Sequence, residues 1–264
     1  MPAAEAISRA PETAPEPVRN PTKGERSRER LKQAARQVLG ERGFRAARVT
    51  DITQAAGLSQ GAFYPYFKNK REIFLEVVRE FIDEGRAVMH AAPRGDDPFD
   101  QIHAPTRAYV DLLFAQAPLV RAVLQAADDD DEFAGLWQDT THAWLAQVAH
   151  RIRRRCGDPE VEAETPLLVA YAVNWMVDGF LHSLLGRRDP HQEAVIRSPE
   201  HLAEALSVLW FRAVYGCDPD PAQLNHARDI LELRFVAVER RTGGDTTHSN
   251  RLHSRRTHSK EGAR

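Results

Sequence analysis

The stretch that decides the fold is Thr50–Phe74, which reads TDITQAAGLSQGAFYPYFKNKREIF. Gly57 lies between two short segments with helical periodicity, and a chain reversal there needs a positive φ, which glycine adopts at little cost. The pattern predicts one short helix over 49–56 and a second over 60–67, with Ser59 as the N-cap of the second. A longer helix is expected to begin near residue 69 and to run past residue 81.

A supporting helix is predicted before this stretch, because apolar residues recur there at i, i+3, i+4, i+7 and i+8. These residues are Leu31, Ala34, Ala35, Val38 and Leu39. Gly40 and Gly43 are expected to end this helix. The apolar residues of the deciding stretch have the spacing to face it, and they are Ile52, Ala55, Leu58, Phe63 and Phe67. Two short helices that are joined by a glycine turn behind a supporting helix are typical of a helix-turn-helix.

The other side chains of the second short helix are predicted to point outward and to contact DNA. Gln60 can donate and accept hydrogen bonds in the major groove, and the small residues Gly61 and Ala62 allow the backbone to approach base edges. The polar and basic residues that follow are suited to phosphate contacts, and they are Tyr64, Tyr66, Lys68 and Lys70. Taken singly, each has an ordinary alternative: the tyrosines could edge a core, and the lysines could lie on a solvated face.

The deciding stretch resembles the DNA-binding signature of the TetR-type regulators, the tetracycline-repressor family. The matching positions are Ile52, Ala56-Gly57, Ser59, Gly61, Tyr64, Tyr66-Phe67 and Lys70, with near-equivalents at Leu58 and Ile73. The resemblance implies that Gln60, Gly61, Ala62 and Pro65 lie near bases. It also implies that bases or phosphates are contacted by Arg48, Thr50, Tyr64, Tyr66 and Lys70.

The sequence departs from the family pattern at three places. Ala47-Arg48 replaces the usual Thr or Ser that caps the second helix, so that cap is expected to be weaker or replaced. Thr53 stands where the pattern has alanine. Pro65 lacks an N–H group and would clash with the carbonyl of Gly61 in a regular helix, so the helix is expected to end tightly there.

Charge is distributed unevenly along the chain. Residues 23–72 contain 12 Lys and Arg against 5 Asp and Glu, whereas residues 73–239 contain 15 against 28. Residues 240–264 are basic again, with 7 against 2. This pattern is typical of a DNA-binding domain beside an effector domain. Chance clustering of charges on solvated faces is the alternative.

We therefore predict four segments: a disordered tail over 1–22, a helix-turn-helix domain over 23–72, a helical effector and dimerisation domain over 73–240, and a disordered basic tail over 241–264. Cys156 and Cys217 are expected to be free thiols. The chain has no run of 18 apolar residues and its first residues do not resemble a signal peptide, so we expect a cytoplasmic, nucleoid-associated protein without a membrane partner.

The larger segment is predicted to be all-α, because its periodicity is helical and strand-like alternation is absent. Helices are expected over about 99–116, 118–127, 130–155, 165–185, 199–215 and 221–239, with Thr165, Ser198 and Asp220 as N-caps and Gly186 and Gly216 as stops. Two stretches of this segment, 119–148 and 209–216 (LWFRAVYG), resemble the subgroup of the mycobacterial ethionamide-resistance regulator. That resemblance implies a helical dimer with an apolar ligand tunnel, in which the helices at 166–185 and 199–215 pair with their copies.

A ligand pocket is predicted from aromatic residues and one amide, namely Tyr109, Phe114, Trp137, Trp144, Asn174 and Trp175. These aromatic residues could also be ordinary core, and Asn174 could instead cap a loop or pair across a dimer.

The predicted function is that of a homodimeric repressor, which binds a palindromic operator in double-stranded DNA and is released by a small, largely apolar ligand. A dimeric DNA-binding protein without a ligand is the alternative. An enzyme is not favoured, because the chain has no Gly-rich phosphate loop, no G-x-S-x-G and no H-x-x-x-H or C-x-x-C spacing. We expect no catalytic residue, metal or cofactor. The acidic run at 128–132 lacks the spacing of a calcium loop and is expected to begin the next helix.

Overall fold

The computed structural model describes residues 20, 22–155, 161–162 and 164–233, and within this part of the chain it is helical without a strand. Its α-helices are α1 (Lys23–Ala46), α2 (Val49–Ala55), α3 (Lys70–Ala91), α4 (Asp100–Ala115), α5 (Ala117–Asp129), α6 (Asp131–Arg155), α7 (Thr165–His182), α8 (Pro190–Val195) and α9 (Pro199–Tyr215). The predicted all-α class is confirmed. The two predicted tails, except for residues 20 and 22, lie outside the described residues, and so does Cys156. Cys217 is a free, exposed thiol.

Helix α1 begins at a reciprocal cap and buries the predicted apolar stripe. The Thr22 hydroxyl accepts from the Glu25 N–H at 3.2 Å, while the Glu25 carboxylate accepts from the Thr22 N–H at 2.6 Å. All five apolar residues that were predicted to face inward are buried. Gly40 does not end the helix. Gly43, at φ 72°, breaks it locally before it resumes to Ala46.

Helix α3 lies beside α1 and points in the same direction. Three ion pairs join the two helices, Arg28–Glu76, Lys32–Glu80 and Arg36–Glu84, and in each pair the partners are 48 residues apart. A constant offset in sequence means that the helices run parallel in fixed register, with one pair for each turn. Further along, α3 also packs against α4 and α6. It is therefore shared between the N-terminal unit and the helical body.

The body is built from two apolar clusters. The first joins α1, α2 and α3 to α5 and to the end of α7, and it includes Phe74, Leu119 and Leu181. The second lies between α4, α6, α7 and α9, and it includes Leu145 and Val208. Because the first cluster crosses from the N-terminal unit into the body, the two parts share one core.

The chain after α9 differs from the prediction. Instead of a helix over 221–239, residues up to 233 form only two short 3₁₀ segments, Pro221–Gln223 and Arg228–Glu232, and residues 234–239 lie outside the described part. The reason is Glu204, which is buried and whose carboxylate accepts from the backbone N–H groups of Asn225, His226 and Ala227. An α-helix would need those N–H groups for its own carbonyls.

Helix α7 also ends differently. Thr165 is its first residue rather than its N-cap, and a π-helical turn over Ser183–Arg187 continues it past Gly186. Arg188, at φ 55°, takes the left-handed position. The caps of α9 are confirmed, because the Ser198 hydroxyl accepts from the His201 N–H at 3.2 Å and Gly216 has φ 68°. The short helix α8 was not predicted.

One segment, Thr165–Arg187, is long and apolar enough to cross a membrane by length and composition alone. It carries the buried polar residues Asn174 and Asp178, and α7 packs against α6, α9 and α5. Of the apolar window in this segment, 39% is buried inside the structure, and a helix that packs within a bundle passes the same test of length and composition.

Candidate DNA interface and ligand cavity

The segment that was predicted to be the second short helix is held against the core by two aromatic side chains. Phe63 is 0% exposed and Phe67 is 2% exposed, with ring centroids 5.7 Å apart. The segment is a 3₁₀ turn at Gln60–Ala62 followed by further turns, rather than a regular α-helix. Pro65 has no N–H to donate to the carbonyl of Gly61, which explains why the helix does not continue.

The inward-facing set of the helix-turn-helix differs in detail from the prediction. Ile52 is buried and Leu58 is half-buried as expected, but Ala55 is exposed, and its predicted position was wrong. Thr53 and Ala56 are buried in its place, because helix α2 is rotated relative to the predicted stripe. The Thr53 hydroxyl donates to its own helix at the Thr50 carbonyl, 3.1 Å away, so its burial leaves no unpaired group.

The turn between the two short segments depends on Gly57 and Arg30. Gly57 has φ 61°, as predicted. Arg30 of α1 donates to the Ala56 carbonyl at 2.5 Å, and a Cβ at Gly57 would lie 3.2 Å from that guanidinium. Ser59 has the extended backbone of an N-cap, but its side chain makes no capping hydrogen bond. Arg30 therefore has a role in the turn that the sequence pattern did not indicate.

The outward side of the turn segment is open to solvent. Gln60, Gly61 and Pro65 are exposed, Tyr64 is 54% exposed, and Ala62 and Tyr66 are half-buried. A Cβ at Gly24 would lie 3.6 Å from the Tyr66 hydroxyl, so Tyr66 lies against the start of α1. Arg48, Thr50 and Lys68 are also exposed. The part of the chain that the structure describes does not cover this side.

Helix α2 lacks a side-chain N-cap, and Asp51 in its first turn fixes the N-cap residue Arg48 instead. Its carboxylate accepts from the Arg48 N–H at 2.9 Å and pairs with Arg42 at 2.9 Å. The cap is thus supplied from inside the helix, and the Arg48 guanidinium is left without a side-chain partner among the described residues.

Lys70 is placed differently from the other predicted contacts. Its ammonium group donates to the carbonyls of Phe44, Arg45 and Ala47 at 3.0, 3.1 and 2.9 Å. These bonds use all three of its N–H donors. The Nζ of Lys70 also lies 5.2 Å from the ring centroid of Phe44. The contacts favour a capping role at the end of α1 over a phosphate contact.

Much of the basic block at 23–72 is neutralised within the molecule. In addition to the three pairs between α1 and α3, Arg45 pairs with Asp129, and Arg71 pairs with Asp130 at 2.7 Å and with Glu132 at 2.7 Å. Asp130 begins the first turn of α6, accepting from the Glu132 N–H at 3.0 Å, as expected for the acidic run. The ion pairs of this acidic run with Arg45 and Arg71 also hold the N-terminal unit against the body. The guanidinium of Arg71 lowers the pKa of Asp130, as that of Arg45 does for Asp129.

A cavity of about 80 Å³ lies between α3, α4, α6, α7 and α9. Four of the predicted ligand residues line it, namely Tyr109, Trp137, Trp144 and Asn174. The prediction missed several others, including Phe81, Ile82, Gly85 and Met89 of α3, Asp178 of α7 and Trp210 of α9. The missed residues of α3 have the i, i+3, i+4 spacing that ordinary core residues also have, so the sequence alone does not identify them as cavity residues.

Asp178 is the centre of a hydrogen-bonded polar group in the cavity lining. Asn174 donates to its carboxylate at 2.9 Å, and Tyr109 also hydrogen-bonds to it. Burial raises the pKa of Asp178 and raises that of Tyr109 well above its ordinary value. Burial lowers the pKa of the neighbouring His182, although the charge of Asp178 opposes that shift. Asn174 thus pairs one turn along its own helix, rather than at a loop.

Two residues predicted for the pocket lie elsewhere. Phe114 is half-buried and packs in the first apolar cluster. Trp175 is 60% exposed and does not line the cavity. Leu168 of α7 and Leu209 of α9 are also exposed. We call the surface formed by Leu168, Ala172, Trp175 and Leu209 the apolar face.

Together, the helix-turn-helix with its open side and the helical body with its internal cavity define the class of DNA-binding transcriptional regulators. Residues 31–77 match the family model of bacterial regulatory proteins of the tetR family, and residues 102–216 match that of the C-terminal domain of the transcriptional regulator EthR. The chain is therefore similar to regulators of the TetR family in its DNA-binding part and to EthR in its helical body. Members of this family are transcriptional regulators rather than enzymes. Among the described residues, no group of three potential metal ligands occurs.

Individual relatives agree with this assignment. The chain is 24% identical over 190 residues to the HTH-type transcriptional regulator EthR of Mycolicibacterium smegmatis, which covers 70% of this chain and 84% of the relative. It is 26% identical over 164 residues to the HTH-type transcriptional repressor Rv1474c of Mycobacterium tuberculosis. That match covers 61% of this chain and 84% of the relative. The fold is similar to that of a transcriptional regulator from Rhodococcus sp. Rha1, with a TM-score of 0.59 and 24% identity. The match covers 73% of this chain and 98% of the Rhodococcus chain.

Proposed function

We propose that the protein is a homodimeric repressor that binds a palindromic operator and is released when a small, largely apolar ligand fills the cavity. The observation that carries this proposal is the course of α3. Its start follows the turn segment directly and pairs with α1, while Phe81, Ile82 and Gly85 further along form a wall of the cavity. A displacement of that wall therefore acts on the helix that positions the DNA-binding unit.

In the proposed complex, the open side of residues 60–66 enters the major groove. Gln60, Gly61, Ala62 and Pro65 lie near base edges, where side-chain amides and close backbone approach give sequence discrimination. Phosphates are contacted by Arg48, Thr50, Tyr64, Tyr66 and Lys68. Lys70 contributes by holding the end of α1, since its donors are already occupied. We also propose that residues 23–72 form the DNA-binding domain and residues 73–240 the effector and dimerisation domain.

The proposed dimer forms through the apolar face. Exposed residues Leu168, Ala172 and Trp175 follow one another at i, i+4 and i+7 on α7, which makes a continuous stripe. A two-fold pairing of α7 and α9 with their copies would bury this stripe and would match the two-fold symmetry of a palindromic operator. Binding to chromosomal DNA would place the dimer in the cytoplasm.

Release is proposed to follow from the size of the cavity. At about 80 Å³ it is much smaller than the roughly 300–1,000 Å³ that small-molecule sites usually occupy, so a ligand of ordinary size must displace the walls. The ligand shifts the equilibrium only by as much as it prefers the expanded state.

The test is operator binding with and without ligands. A footprint on DNA upstream of the gene defines the operator, and fluorescence anisotropy then measures its affinity in the presence of apolar compounds that raise the melting temperature. We expect at least one such compound to weaken operator binding. Unchanged affinity with every stabilising compound would favour the alternative, a dimeric DNA-binding protein without a ligand. The presence of a cavity with both apolar and polar lining residues argues against that alternative.

A further inference from the structure

A second, larger cavity opens beside the one described above, and its charge is opposite to that of the body. This outer cleft has a volume of about 1140 Å³, and its basic lining residues are Arg86, Arg94, Arg151 and Arg154, with His90. Its acidic lining residues are Asp83 and Asp96. The surrounding segment, residues 73–239, has 15 basic against 28 acidic residues. Four arginines on one cleft are therefore a local reversal of charge.

Arg94 is oriented by the backbone and retains an unused donor. Its terminal nitrogens donate to the carbonyls of His90, at 3.0 Å, and Met89. Its Nε is buried and has no hydrogen-bond partner. Burial and the charge of the nearby Arg151 both lower the pKa of Arg94. A buried donor without an acceptor costs free energy, and a bound anion would remove that cost.

The other arginines on the cleft are available to an anion. Arg151 and Arg154 are exposed and have no ion-pair partner among the described residues. Within the described part of the chain, Arg86 pairs only with Asp83, at 2.9 Å, and both of those side chains are more than half exposed. Exposed pairs of this kind are weak and exchange partners at little cost.

The outer cleft lies directly beside the apolar cavity. Six residues line both spaces, namely Arg86, Met89, Pro105, Thr140, Trp144 and Trp210. The inner cavity is lined mainly by apolar side chains, whereas four arginines line the outer cleft. An anionic group would lose its hydration without compensation at the inner end and would be attracted at the outer end. A ligand that spans both spaces is therefore oriented by charge.

We propose that the effector is an anionic amphiphile, whose carboxylate or phosphate head group binds Arg94 and Arg151 in the outer cleft while its apolar tail enters the inner cavity. This inference rests on the proposed function and narrows its ligand class from apolar to anionic and apolar. Arginine suits this role because its planar donors bind carboxylate and phosphate in a bidentate manner.

The test compares four probes with the same ten-carbon chain on the full-length protein: decanoate, decyl phosphate, decan-1-ol and decylamine. Isothermal titration calorimetry measures each affinity at neutral pH. We expect at least one anion to bind about tenfold more tightly than decan-1-ol, which is the effect of one good charge-assisted contact. The preference of that anion should decrease as NaCl is raised, while the affinity for decan-1-ol stays constant.

Substitutions assign the preference to the arginines. Arg94→Gln and Arg151→Gln should each weaken anion binding by about tenfold and change decan-1-ol binding by less than about twofold. Arg187→Gln, an exposed arginine outside both spaces, is the matched control and should change neither. An equal loss for anion and alcohol in the Arg94 variant would overturn its role as the head-group site.

The remaining outcomes separate this inference from the proposed function. If decan-1-ol or decylamine binds as tightly as both anions, the anionic class is wrong, but the cavity still binds ligands. If none of the four probes binds, the anionic amphiphile is wrong as the ligand class, while the ligand-release proposal is decided separately by operator binding in the presence of stabilising compounds. If decanoate alone or decyl phosphate alone is preferred, the inference is supported and the head group is identified.

Discussion

At the residue scale, two lysines that are two positions apart have different environments. Lys68 is exposed and its side chain has no partner among the described residues, whereas Lys70 donates to three carbonyls at the end of α1. The sequence places both near the start of a helix and cannot separate them. The difference arises from tertiary contact, because the end of α1 lies next to Lys70.

We predict that Lys70→Gln destabilises the protein while Lys68→Gln does not. Removal of the charged donor leaves three carbonyls short of partners, which should cost about 1.5–3 kcal/mol of unfolding free energy. Denaturant unfolding measures the loss, and anisotropy measures operator binding. Lys68→Gln should leave the unfolding free energy unchanged and weaken binding to specific and random DNA alike. Equal stability of the two variants would contradict the capping role of Lys70.

At the scale of elements, α3 connects the two sites because it pairs with α1 in one register over residues 76–84 and lines the cavity over residues 81–89. Its glutamates at 76, 80 and 84 match basic residues at 28, 32 and 36 of α1. Both sets recur at i, i+4 and i+8, so the sequence shows two complementary stripes. The pairing itself could not be read from it, because a stripe of charges is equally compatible with solvent.

We predict that Gly85→Leu mimics a bound ligand. A Cβ at Gly85 would make ordinary contacts with Leu112 at 3.7 Å and Tyr109 at 3.9 Å, and the rest of the side chain would enter the cavity. Operator affinity without ligand should fall by about 5- to 150-fold, the usual range of allosteric coupling.

The control is Gly135→Leu on α6, where a Cβ would meet no heavy atom within 4 Å. It makes the same change of residue away from the cavity and should leave operator affinity unchanged. Normal operator binding by a folded Gly85→Leu variant would show that filling the cavity does not act on the DNA-binding unit.

At the scale of the whole molecule, the sequence predicts the architecture well and the tertiary pairings poorly. The helix-turn-helix, its buried Phe63 and Phe67, and its Gly57 turn follow from local spacing. The docking of Arg45 and Arg71 onto the acidic junction between α5 and α6 does not, because the partners are 84 and 59 residues apart. Trp175 was assigned to the pocket because hydrophobicity alone does not distinguish a core side chain from one on an exposed apolar face.

We predict that Trp175→Glu yields a monomer that binds the operator weakly. A charge at the centre of the apolar face would be buried without a partner in a dimer, which is costly. Sedimentation velocity measures the oligomeric state. Ala146→Glu, an exposed position on α6, is the control and should sediment as the parent protein does. A Trp175→Glu variant that remains dimeric would place the interface on another surface.

The most direct test of the central claim is the effect of Gln60→Ala on the ratio of specific to random DNA affinity. Fluorescence anisotropy measures both affinities at one salt concentration, since phosphate contacts depend on salt. If the open side of residues 60–66 reads base edges, the difference in binding free energy between specific and random DNA should shrink by about 1–3 kcal/mol. The affinity for random DNA should stay the same. An equal loss on both DNAs would contradict base reading by this segment.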